Sequence, residues 1–174
     1  MRLHASLPSL IVSLLACCLL SPNARADIWS TAYYAAWRQG MMPASNVDYT
    51  ALTHVIHFSI EPNADGSLNT GVNGITASYS NDLVTRAHNA GKKVLICIGG
   101  ADTQIKFQGA TSATNRTTFV NNLVSFMKTY NYDGIDVDWE PLDAADANLF
   151  TNLVVNCAPL YPLPNHSRFL LPLP

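Results

Sequence analysis

The chain has 174 residues, with 10 basic and 12 acidic side chains and a formal net charge of −2. That balance excludes the basic face a nucleic-acid partner would favour, and it offers no polybasic segment to an anionic membrane surface. The hydrophobic fraction of 48% is raised by an apolar N-terminus.

Residues 1–26 read as a secretory signal. Arg2 and His4 give a weakly basic start, and the run 7–20 is apolar apart from Pro8, Ser9 and Ser13. Pro22 ends the run, and Ala24-Arg25-Ala26 places small residues where a signal peptidase needs them. The run is shorter than the ~20 residues of a membrane span, so no stable span is expected. The expected destination is therefore secretion. A periplasmic or lipid-anchored form is the alternative, the latter because Leu14-Leu15-Ala16 precedes Cys17. Cys17 and Cys18 would leave with the signal; export permits a disulfide between Cys97 and Cys157, and two separate buried thiols are the favoured expectation.

From residue 27 onward, strand-like and helix-like stretches alternate. The stretch 31–37 (TAYYAAW) is a short aromatic strand. The stretch 53–60 (THVIHFSI) is rich in β-branched and aromatic residues and ends at a turn signal, Asn63-Ala64-Asp65-Gly66. A helix is expected over 81–90, with Ser80 as its N-cap and Gly91 just past its end. The stretch 93–98 (KVLICI) is a near-continuous apolar run stopped by Gly99-Gly100, as suits a strand buried on both faces. A second helix, 115–130, sets Phe119, Leu123, Phe126, Met127 and Tyr130 at helical spacing. A fourth strand runs over 132–139, and 144–158 returns to helical spacing with Leu149, Leu153, Val154 and Cys157.

The order β-α-β-α-β-α-β-α predicts an α/β fold with a parallel sheet and right-handed crossovers. Residues 159–174 (PLYPLPNHSRFLLPLP) break the pattern, because prolines at that density continue neither a helix nor a central strand. Residues 27–158 are thus one unit, followed by a proline-rich irregular tail.

The informative stretch is 133–140, DGIDVDWE. Alternate side chains of a strand share a face, so Asp136, Asp138 and Glu140 line one side and Ile135, Val137 and Trp139 the other. The apolar side suits a layer of helices. The acidic side must face a cavity, because three carboxylates do not enter a packed core unpaired. Neighbouring carboxylates resist simultaneous ionisation, so such a row holds a proton near neutral pH. Four acids at one fixed spacing arise by chance in about one chain in a thousand of this length, on average composition.

This stretch resembles the DxxDxDxE signature of glycoside hydrolase family 18, the chitinase family, with Trp139 and Pro141 in keeping. Residues 93–100 resemble that family's third strand and its SxGG motif, with Cys97 in place of the serine. Tyr33-Tyr34 and Phe58 resemble its first and second strands. The resemblance implies a (β/α)8 TIM barrel, of which about four β/α units, a half barrel, lie in this chain. It implies a retaining cleavage of β-1,4-linked N-acetylglucosamine polymers in which the substrate's own acetamido group is the nucleophile, an exception to the two-carboxylate scheme. In that reaction Glu140 protonates the glycosidic oxygen, Asp138 orients the acetamido group, and Asp136 supports Asp138. Asp133 and Gly134 belong to the structural part of the motif, as do Gly99 and Gly100. Tyr33 and Phe58 would floor the sugar site, and Trp139 is a further candidate for contact.

The expected partners are chitin or N-acetylglucosamine oligomers, and no cofactor is expected. His54 and His57 fall on opposite faces of a strand with no carboxylate at ligand spacing, so no metal site is expected there or at His88. Gly99-Gly100 ends a strand and has no phosphate-loop spacing. Asn115-Arg116-Thr117 and Asn165-His166-Ser167 fit the glycosylation triplet.

A closed barrel of this kind takes about 200–250 residues. The change of composition after Cys157 is what a truncation or frameshift would produce, so weak turnover and self-association through open sheet edges are expected of the chain as written. The rival functions are an endo-β-N-acetylglucosaminidase, which uses the same strand chemistry, and a non-catalytic chitin-binding protein.

Overall fold

The computed structural model describes residues 28–157. The expected signal and the proline-rich tail lie outside these residues. Among the described residues there are five strands: β1 (Thr31–Ala35), β2 (His54–Pro62), β3 (Leu68–Asn69), β4 (Lys93–Gly100) and β5 (Gly134–Trp139). Four α-helices accompany them: α1 (Ala77–Asn89), α2 (Gln104–Ala110), α3 (Arg116–Thr129) and α4 (Ala147–Cys157). β1, β2, β4 and β5 are adjacent in that order and all parallel, and β3 pairs antiparallel with the end of β2. Among the described residues no helix is long and apolar enough to cross a membrane.

One side of the parallel sheet packs on the helices. Val55, Val94, Ile96 and Ile98 meet Leu83, Val84 and Ala87 of α1 and Phe119, Leu123 and Met127 of α3 in one buried cluster. The opposite, concave side carries Tyr33, Phe58, Cys97 and the alternate acids of β5. This is the arrangement of consecutive β/α units in a barrel wall.

Two local expectations are corrected, the 63–66 turn is extended, and one helix was not anticipated. No α-helix separates β1 from β2; the segment instead makes 3-10 turns at Ala36–Arg38, Ala44–Asn46 and Tyr49–Ala51. Gly40 and Pro43 interrupt any longer helix, and Asp48 caps the last turn by accepting from the Thr50 amide at 3.0 Å. Helix α1 begins earlier than Ser80, capped by the Thr76 hydroxyl, because Ser80 is buried and its hydroxyl is used elsewhere. The 63–66 turn does not simply end a strand but reverses the chain into β3, with the Asp65 carboxylate accepting from the Ser67 amide at 2.9 Å. Helix α2 went unread because Phe107 and Ala110 alone anchor it, while Ile105 is 71% exposed.

A polar cluster crosses the helix-facing core. Tyr132 donates its hydroxyl to Ser80 Oγ at 2.9 Å, and His57 Nδ1 lies 2.7 Å from the same tyrosine oxygen. With the tyrosine proton directed to Ser80, Nδ1 carries the imidazole proton, and the buried Nε2 has no partner. Burial pushes the His57 pKa down to about 4, so the ring is neutral.

Two outcomes follow for stability. Tyr132→Phe leaves His57 Nδ1–H buried without an acceptor and should cost about 1–3 kcal/mol in denaturant unfolding. His57 has a folded pKa below its usual 6.5, so the unfolded chain takes up its proton first as pH falls. Thermal stability should therefore drop between pH 6.5 and about 4, and His57→Gln should flatten that limb.

Candidate active site at the mouth of the parallel strands

β5 separates its two kinds of side chain. Trp139 is 4% exposed and stacks on Phe107 of α2 with ring centroids 4.6 Å apart and planes 8° from parallel. Ile135 and Val137 pack on the same core. The expectation that Trp139 touches sugar is thereby corrected: its ring belongs to the helix-facing layer, as its place in the alternation dictates. Asp136 and Asp138 face the concave side, and Glu140 follows them one residue beyond the strand, exposed.

The row is graded in environment. Asp136 is the deepest, and burial raises its pKa against the opposing effect of hydrogen bonds from Cys97 and Tyr33. The Tyr33 hydroxyl donates to Asp136 Oδ2 at 3.2 Å. Asp138 is pushed up to about 6 by burial, then by the charges of Glu140 and Asp136 and a hydrogen bond with Glu140. A proton is thus held within the row close to neutrality. Glu140 has a fixed main chain, since its carbonyl accepts from the amides of Thr103 at 2.9 Å and Gln104 at 3.2 Å at the start of α2.

Asp133 stands apart from this row. Its Oδ2 accepts from the Val94 amide at 2.8 Å and lies 2.7 Å from His88 Nε2, and its Oδ1 accepts from Lys93 Nζ at 2.7 Å. Burial alone would raise its pKa, but the Lys93, Val94 and His88 contacts outweigh burial and hold it below the usual carboxylate range. It ties the start of β5 to β4 and the end of α1. Gly134 follows it, paired in register with Leu95.

Gly99 and Gly100 close the other flank with φ of 118° and 120°. A Cβ on Gly99 would sit 2.0 Å from the Asp138 carbonyl oxygen, so only glycine allows β4 and β5 to approach here. A Cβ on Gly100 would meet the Phe58 ring at 3.1 Å. Cys97 is the register partner of Asp136 and is buried beneath it; burial and the neighbouring Asp136 charge push its thiol pKa far up. Cys97 and Cys157 are both free and buried, on separate elements.

Aromatic rings border the row. Tyr33 is 59% exposed and meets Phe58 edge-on at 5.6 Å, and Trp37 meets the other side of Phe58 at 5.7 Å and 77°. Sequence reasoning missed Trp37, which it took as the end of a strand. The strand stops at Ala35, and the following 3-10 turn presents the indole, 53% exposed, at the mouth. Of the anticipated site residues, the structure gathers Tyr33, Phe58, Gly99, Gly100, Asp136, Asp138 and Glu140, and it leaves Trp139 and Asp133 outside.

Residues 30–159 match the family described as "Glycosyl hydrolases family 18". A chitinase-like effector of Moniliophthora roreri is 36% identical over 136 residues, which cover 77% of this chain and 33% of that protein. Chitinase 1 of Aphanocladium album is 32% identical over 143 residues, covering 68% of this chain and 33% of the relative. The chain therefore spans about a third of the length of these curated relatives. Among solved structures, a chitinase from Rhizomucor miehei superposes with a TM-score of 0.60 at 27% identity, over 74% of this chain and 43% of its own. A chitinase from Cycas revoluta in complex with allosamidin gives a TM-score of 0.67 at 23% identity, over 75% and 39%. On the match of most of its length, the strand order and the acidic row together, the chain belongs to glycosyl hydrolase family 18.

Proposed function

We propose that this chain carries the catalytic strand of a secreted chitinase that cleaves β-1,4-linked N-acetylglucosamine by substrate-assisted retention. The observation that carries this reading is the row itself: a proton-holding Asp138 between a half-buried Asp136 and an exposed Glu140, all on the concave face. Glu140 delivers the proton it shares with Asp138 to the glycosidic oxygen, which leaves Asp138 a carboxylate. The acetamido carbonyl of the sugar on the donor side attacks the anomeric carbon, and the leaving sugar departs as the glycosidic bond breaks. Asp138 accepts a hydrogen bond from the acetamido N–H and stabilises the positive oxazolinium ring that forms. Water, deprotonated by Glu140, then opens that ring with net retention. Tyr33, Phe58 and Trp37 give the sugar an apolar floor. The relatives named chitinases support the substrate class, and residues 1–26 support export.

A second reading is supported by the chitinase-like effectors among the relatives: a chitin-binding protein that does not turn over. The intact Glu140 favours the enzyme. An endo-β-N-acetylglucosaminidase would use the same residues, and product analysis on chitin oligomers against a glycoprotein separates the two.

The test, in a background where the barrel is completed, is hydrolysis of a fluorogenic chitobioside alongside binding of chito-oligomers. Glu140→Gln should lower turnover by about 10²–10⁴-fold while binding persists, because the swap removes the transferable proton and keeps the shape. If Glu140→Gln keeps most of the activity, the assignment of the acid is wrong; if the wild-type chain binds but does not cleave, the effector-like reading holds.

Asp138→Asn should abolish turnover and raise stability at once. Asp138 has a folded pKa of about 6 against an ordinary 3.8, so its contribution is fully present below about pH 4 and is lost as pH rises through 6. Asparagine keeps the neutral form at every pH. The variant should melt above wild type at neutral pH and together with it below about pH 4; equal melting at both would show that the carboxylate is not strained by its surroundings.

A further inference from the structure

β2 does not run evenly beside β4. His57 pairs with Ile96 and Ile60 with Ile98, so β2 spends Phe58 and Ser59 where β4 spends Cys97 alone. This is a β-bulge of one extra residue, and such bulges re-aim side chains beside active sites. Its effect is visible in the faces. His57 and Ile60 are three apart yet both are fully buried, Ile60 in the helix-facing core, while Phe58 projects to the concave side against Tyr33 and Trp37.

A bulge disturbs the ladder, and here one side chain from outside the sheet donates to a backbone carbonyl at the bulge. Asn73, in the turn between β3 and α1, points its amide inward while Val72 beside it is exposed. Asn73 Nδ2 donates to Ser59 Oγ at 2.9 Å and to the Ser59 carbonyl at 3.3 Å. The Ser59 hydroxyl, wholly buried, donates onward to the Gly99 carbonyl at 2.9 Å. Gly99 is the register partner of Asp138 and lies against its backbone. The neighbouring Gly100 is the surface on which the Phe58 ring rests.

We propose that Asn73, acting through Ser59, is a positioning residue for the active site: it locks the bulge that aims Phe58 across the sugar floor and fixes Gly99 beside Asp138. Neither residue touches the carboxylate row. The kinetic part of this inference rests on the hydrolase reading above, and the structural part does not. Asn73→Asp keeps the size and removes both donors. Ser59→Ala removes the relay to Gly99, and Ser59→Thr restores the hydroxyl.

The experiment uses the full chain, with three readouts: backbone amide shifts of Phe58, Gly99, Gly100 and Asp138, titration with chitotriose, and steady-state kinetics on the chitobioside. Asn73→Asp and Ser59→Ala should displace those amide signals and raise KM by about tenfold, an order below the ~10²-fold of a 1 Å misplacement at the reacting centre. Ser59→Thr should return both toward wild type. A variant that merely unfolded part of the sample would lower apparent kcat at unchanged KM, which would overturn the proposal. Unshifted Gly99 and Gly100 signals in Asn73→Asp would also overturn it. Failure of the wild-type chain to bind chitotriose would instead sink the hydrolase reading, and the amide signals would still decide whether Asn73 holds the bulge.

Discussion

Three carboxylates spaced along one strand repel one another, and water is the environment in which that repulsion is weakest. β5 nevertheless holds two of them partly out of water, because its other face is driven into the helical layer. Trp139 against Phe107, with Ile135 and Val137 beside it, fixes the strand's rotation. Once that face is buried, Asp136 and Asp138 have only the concave side. The raised proton affinity of Asp138 is a consequence of hydrophobic packing on the opposite side of the same backbone.

The flanking strands serve the same constraint. Gly99 lets β4 come close enough for its main chain to touch that of Asp138, and Cys97 fills the space below Asp136 without adding charge. Tyr33 reaches across from β1 to place a neutral donor on Asp136. Asp133 uses its carboxylate differently, accepting from a backbone amide and from the Lys93 ammonium and lying against the His88 ring, so its charge is compensated where those of the row are not. The same residue type in one eight-residue stretch thus does structural work at one end and holds a proton at the other.

Much of this was legible in the residues. The alternation in DGIDVDWE names the acidic face, and Gly99-Gly100 marks the end of β4, because both depend on period and on glycine, which sequence displays directly. The face of Trp139 was equally legible, yet its size invited a sugar-binding role that the alternation had already ruled out. What could not be read depends on long-range partners. Ser80 has the chemistry of a helix cap, but a tyrosine 52 residues away takes its hydroxyl and the helix starts at Thr76 instead. The bulge at Phe58-Ser59 has no local signal at all, since both residues suit a regular strand and only the register with β4 reveals the extra one. Trp37 lay in a stretch with strand composition, and its exposure follows from where β1 stops.

The attachment of Glu140 to the start of α2 has a dynamic meaning. Two amides clamp its carbonyl, while its exposed side chain reaches back to a hydrogen bond with Asp138. The acid is a short arm on a stationary pivot. Its approach to a bound oxygen is then a search over side-chain torsions, which exposed residues sample in picoseconds to nanoseconds. On the proposed function, reorientation of the carboxyl is accordingly faster than any loop or strand movement.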